Sequence, residues 1–153
     1  MAPVVAGARR RAHRDGDGQI DTAHLLHSLL ETDPGVRAAF GGGPQPARVL
    51  GYLVQRSIGY GLRWHGTVED SGAAPLVRED AVAGWSPPAV SAMRGALERA
   101  ALRGASPSGG LELLAALASD PACRAVQVLE RAGVDTRALS GRLSPGPRQV
   151  SRG

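Results

Sequence analysis

The chain has 153 residues, 42% of them hydrophobic and 3% aromatic, and a formal net charge of +4. That length holds one ordinary domain or two very small ones sharing a core, and a core built from Leu, Val and Ala suits close helix packing better than a β-sandwich. A lone cysteine, Cys123, excludes an internal disulfide and a CxxC metal site, and no apolar run reaches the roughly 20 residues that span a bilayer.

In chain order, the first helix is expected from about Pro3 to Arg14, with Gly16 ending it. The second begins behind Asp21 as N-cap and carries Leu25, Leu26, Leu29 and Leu30 on one apolar face. A short third helix runs from Pro34 to Phe40 and stops at Gly41-Gly42-Gly43. The fourth opens near Pro46, with Val49, Leu50, Leu53, Val54 and Ile58 as its stripe. From Gly59 to Gly84 the periodicity fails, and the segment reads as a linker with an extended stretch near Leu76 and Val77. Helical signals resume at Ser86, a cap for a helix with Pro88 in its first turn and Val90, Met93, Leu97, Ala100 and Ala101 as its stripe up to Gly104. The next starts at Ser108 or Gly109 and holds Leu111, Leu113, Leu114 and Leu117. Asp120-Pro121 opens a helix that passes through Val126, Val128 and Leu129 to Gly133, and Asp135 caps a last one through Leu139 to Leu143. Ser144 to Gly153 is a polar Pro/Gly/Arg tail expected to be disordered.

An internal repeat organises these elements. Leu25-Leu26-x-x-Leu29 returns as Leu113-Leu114-x-x-Leu117, and Asp33-Pro34-x-x-Arg37-Ala38 returns as Asp120-Pro121-x-x-Arg124-Ala125. Ahead of both, Ala12 and Gly16 match Ala100 and Gly104. Each half has one apolar face per helix, and packing the halves together buries both.

With these residues in view, the chain resembles the Clp amino-terminal repeat domain of protein-unfolding ATPases. The first copy carries Ile20-Asp21-Thr22-Ala23-His24-Leu25-Leu26, where the family has Ile/Val-Gly-Thr-Glu-His-Ile/Leu-Leu. The second opens on Trp85-Ser86-Pro87-Pro88 and closes on Gly133-Val134-Asp135. The resemblance covers about residues 4 to 143 and implies an all-α fold of two pseudo-symmetric four-helix repeats packed as one domain. Repeat 1 would occupy residues 1–59 with a clipped first helix, the linker 60–84, repeat 2 residues 85–143 and the tail 144–153. It also implies a rigid, non-enzymatic docking module for substrates, adaptors or components of a Clp chaperone-protease system. One branch of the family recognises phosphorylated arginine through the Glu of each Thr-Glu-His motif. Here those positions are Ala23 and Leu111, which argues against such a site. Thr22 and His24 keep the motif in the first copy, Trp85 stands at the aromatic position before the second repeat, and Pro87 follows it. These four residues are the expected ligand-binding positions, in a groove between the repeats.

Rival chemistries have less behind them. A phosphate-binding Gly-x-x-x-x-Gly-Lys-Ser/Thr loop is impossible because all 18 basic residues are Arg. Asp15-Gly16-Asp17-Gly18-Gln19-Ile20-Asp21 imitates a calcium loop, but its first and twelfth positions would be His13 and His24, which removes the bidentate carboxylate calcium needs. His24 and His27 lie one helical turn apart, yet a zinc site needs three or four ligands and only His13, Asp21 or Cys123 stand in reserve. No nucleophile–base pair appears, so no catalytic residue, metal or cofactor is expected. The Arg9, Arg10, Arg11 and Arg14 cluster offers the alternative of a basic helical nucleic-acid-binding domain. The expected setting is the cytoplasm, because the apolar start is too short for a signal segment and has no basic stretch before it.

Overall fold

The computed structural model describes residues 2–41, 43–57, 69, 84–104 and 109–143. Among these, the chain is all-α. The helices are α1 (Ala2–Arg14), α2 (Thr22–Thr32), α3 (Pro34–Ala38), α4 (Gln45–Ser57), α5 (Pro87–Arg103), α6 (Gly110–Ala118), α7 (Arg124–Arg131) and α8 (Thr136–Leu143). No described helix is long and apolar enough to cross a membrane.

The interior is organised around α2 and α6. In α2 every residue from Thr22 to Leu30 is buried, and in α6 so are Gly110 and all of Glu112 to Ala118. A helix buried nearly all round lies inside a shell of other elements, and the polar Thr22, His24, His27 and Ser28 of α2 are buried with its leucines. Accordingly α2 packs against α1, α3, α4, α5, α6 and α7, while α6 packs against α2, α3, α5, α7 and α8. The leucines of the repeated motif, Leu25, Leu26, Leu29, Leu113, Leu114 and Leu117, are all fully buried in one continuous core.

The helix ends follow local chemistry. Asp21 accepts the His24 amide at 2.8 Å, Ser86 accepts the Ala89 amide at 3.2 Å, and Asp33 accepts the Gly35 amide at 2.9 Å ahead of Pro34. Gly16 (φ 74°) and Gly104 (φ 68°) end α1 and α5 in the left-handed region, which disfavours a Cβ. At Gly16 this brings the Asp17 amide back to Ala12 O at 2.9 Å.

Three details depart from expectation. The helix expected to open at Asp120-Pro121 starts at Arg124. Asp120 Oδ1 accepts the Ala122 amide at 3.0 Å, which spends Asp120 on a turn and leaves Cys123 as the N-cap. On α5 the inward face is Ala89, Ala92, Ala96 and Ala100, while Leu97 is 54% exposed. The reason is close approach of α6, since a Cβ added at Gly95 would lie 3.4 Å from the Ala116 Cβ and only small side chains fit that seam. On α4, Val49 and Leu53 face inward, whereas Val54 is 48% exposed. Ile58, the extended stretch near Leu76 and Val77, and the 144–153 tail lie outside the described residues.

The α1–α2 seam is equally close. Ser28 Oγ on α2 donates to Val4 O on α1 at 2.7 Å, and a Cβ added at Gly7 would collide with that hydroxyl. Gly→Ala inside a helix usually stabilises by about 0.5–1 kcal/mol. Here the sign reverses. Gly7→Ala is expected to destabilise by about 1–3 kcal/mol through overpacking, read as a lower midpoint in urea with an unchanged slope.

Candidate functional site

Three helices begin at one place. α2 and α5 are brought together by a short parallel bridge, in which the Ile20 amide donates to Gly84 O at 2.7 Å and the Ser86 amide donates to Ile20 O at 2.9 Å. α7 arrives beside them through its first turn, where the Ala125 amide donates to Thr22 Oγ1 at 3.0 Å. Helix starts carry unpaired amides and partial positive charge, so their convergence demands an acceptor.

Glu69 supplies it. Its carboxylate, 4% exposed, takes the Thr22 amide at 2.9 Å and Ser86 Oγ at 2.8 Å on Oε1, and Thr22 Oγ1 at 2.6 Å and the Arg124 amide at 2.8 Å on Oε2. Four donors on two oxygens satisfy the carboxylate and three helix starts together. The Glu69 amide in turn donates to Gln19 Oε1 at 2.9 Å. Beside this clamp, Arg124 Nη1 donates to Asp21 Oδ2 at 2.9 Å, a nearly buried ion pair between a residue of the early half and one of the late half.

His24 belongs to the same buried layer. The Asp21 amide donates to His24 Nδ1 at 3.0 Å, so in the neutral ring the proton sits on Nε2, which donates to Asp17 Oδ2 at 2.9 Å. Asp15, Asp17 and His24 bring three donor atoms within 4.8 Å of one another, the nearest approach to a metal-ligand set among the described residues. In this hydrogen-bonded arrangement Nε2 carries a proton and has no lone pair to offer a cation. Asp21, the third carboxylate of the calcium-like loop, is turned toward Arg124 instead.

Of the four expected ligand-binding residues, Thr22 and His24 are thus buried within these networks, Trp85 is half-buried on the bridge, and Pro87 is exposed. Ala23 is buried and Leu111 is 37% exposed. A cleft of about 190 Å³ adjoins the clamp, lined by Thr22, Asp120 and Cys123 together with Pro88, Ser91 and Arg99 of α5. Glu69, Ser86 and Arg124 are the residues that sequence reasoning did not single out for the site.

No protein-family model and no curated protein matches the chain.

Cys123 is an unreactive presence at the cleft. It is 1% exposed, its thiol donates to Leu117 O at 3.5 Å, and burial pushes its pKa from 9.0 up to about 11. The neutral thiol is the form the fold favours, so its contribution to stability is whole below pH 9 and disappears as pH rises through about 11. At pH 8 the native thiol is expected to resist iodoacetamide until the protein is unfolded in urea. Stoichiometric labelling of the native protein within minutes would contradict this.

Proposed function

We propose that the chain is a non-enzymatic, Clp amino-terminal-repeat-like docking module that binds protein or peptide ligands of a Clp chaperone-protease system as an adaptor, decoy or regulator. In this reading α1 to α4 form one repeat and α5 to α8 the other, related by an approximate twofold. The observation that carries it is reciprocal packing. α1 packs on α2 as α5 packs on α6, α4 on α2 as α8 on α6, and across the halves α2 meets α7 while α6 meets α3. The glycine ends at Gly16 and Gly104 and the buried leucine motifs fall at equivalent places in this scheme. The ligand surface is the solvent-reachable rim formed by Trp85, Pro87 and the adjoining cleft. Large, partly exposed Trp side chains are frequent binding anchors.

The test is an affinity pulldown from a lysate containing Clp components, comparing the native chain with Trp85→Ala. Recovery of a Clp component or client by the native chain, reduced at least tenfold by Trp85→Ala while helical circular dichroism is kept, supports the reading. Equal recovery by both, or none by either, contradicts it.

A second reading has one observation behind it. Arg9, Arg10, His13 and Arg14 are exposed on one face of α1, with Arg11 held apart by Glu31, whose two carboxylate oxygens both accept from Arg11 Nη2 at 2.9 Å. A nucleic-acid role predicts gel-shift affinity that collapses steeply with salt and is weakened when these arginines are removed. No shift at low salt removes it.

A further inference from the structure

The donors that hold Glu69 have a distinctive composition. Two are the first amides of helices, Thr22 of α2 and Arg124 of α7, and two are hydroxyls, Thr22 Oγ1 and Ser86 Oγ. None is a cationic side chain, because the Arg124 guanidinium is directed to Asp21. A ring of neutral donors around both oxygens of an anion, at converging helix starts, is the arrangement that holds carboxylates and phosphates. The occupant of this ring belongs to none of the three helices. Glu69 stands 47 residues after Thr22 and 55 before Arg124, and its carboxylate enters the ring as a ligand would.

We propose that the Thr22–Ser86–Arg124 cradle is an oxyanion-binding site whose resident ligand is the Glu69 carboxylate, so that a free carboxylate or phosphate competes with Glu69 for the same four donors. The site is independent of the docking role and stands or falls on its own test. A tethered ligand acts at an effective concentration of about millimolar or more, which holds free anions off in the native chain. Removing the carboxylate should open the cradle, and an anion that refills it stabilises the folded state by mass action.

The experiment follows thermal unfolding of the native chain, Glu69→Ala, Glu69→Gln and Glu69→Ala/Thr22→Val. Each is titrated with acetate or with inorganic phosphate against chloride at matched ionic strength. The midpoint of Glu69→Ala is expected to rise by about 4 °C or more over chloride, the native chain by a small fraction of that, and the double variant not at all. Where Glu69→Ala has lost its helical circular dichroism, the same titration reads its recovery. A response to acetate alone assigns a planar carboxylate as the competing ligand and a response to phosphate alone a tetrahedral one, and either supports the site. The proposal is overturned when Glu69→Ala responds to neither anion beyond chloride. It is also overturned when Glu69→Gln, whose amide still fills the cradle, responds as strongly as Glu69→Ala.

Discussion

Glu69→Ala is expected to cost about 3–5 kcal/mol of unfolding free energy, as several hydrogen bonds to a charged acceptor, each worth about 1.5–3 kcal/mol before relaxation, are lost at once. The loss has two parts. The favourable hydrogen bonds to a charged acceptor disappear, and the four donors from Thr22, Ser86 and Arg124 lose their common acceptor. Set against a typical total of about 5–15 kcal/mol, this is enough to lower the thermal midpoint by about 10 °C. Glu69→Gln should recover less than half of the loss. Its oxygen can serve one pair of donors, but its NH₂ then faces the other pair. Urea melts of the three proteins measure this, and a cost below about 1 kcal/mol for Glu69→Ala would mean the carboxylate is not holding the helix starts together.

Leu29→Ala and Leu117→Ala carry the second large effect. Both side chains are completely buried, Leu29 on α2 and Leu117 on α6, so each truncation leaves a cavity between the central helices and costs about 2–5 kcal/mol. Because α2 and α6 touch each other and each reaches into the opposite half through α7 and α3, either substitution should lower a single cooperative transition seen by all probes. Two separable transitions, only one of which moves with each variant, would mean that the halves fold independently.

Much of the helical framework could be read from the chain. Caps at Asp21, Ser86 and Asp135, stops at Gly16, Gly104 and Gly133, and the doubled leucine motif are local signals, set by a few neighbouring residues. What local sequence leaves open is tertiary. Which face of α5 turns inward depends on how near α6 can come. Ala100 is buried and Met93 packs on the core as periodicity suggests, but Leu97 is exposed, and Ala89, Ala92 and Ala96, whose merit is smallness, fill the seam. The start of α7 is not local either, because Asp120-Pro121 carries a cap signal that the turn consumes, and the Arg124 amide finds its acceptor 55 residues back.

The site was less legible than the fold. Thr22 and His24 carry the motif that marks ligand contacts, yet their side chains are satisfied inside the molecule by Glu69, Asp17 and Asp21. Glu69 gave no signal at all. It lies in a stretch without periodicity, beside another acidic residue, where an exposed carboxylate is the ordinary expectation. Only the convergence of three helix starts gives it a role, and that convergence is long-range.

Amide hydrogen exchange at Thr22 and Arg124 measures most directly whether one buried carboxylate joins the halves. Both amides are the first of their helices, a position that exchanges quickly when it faces solvent. Protection approaching that of the Leu29 and Leu117 amides is expected in the native chain, and its loss at both positions together in Glu69→Ala, which removes both oxygens. Fast exchange of these two amides in the native chain, with the helix interiors still protected, would contradict it.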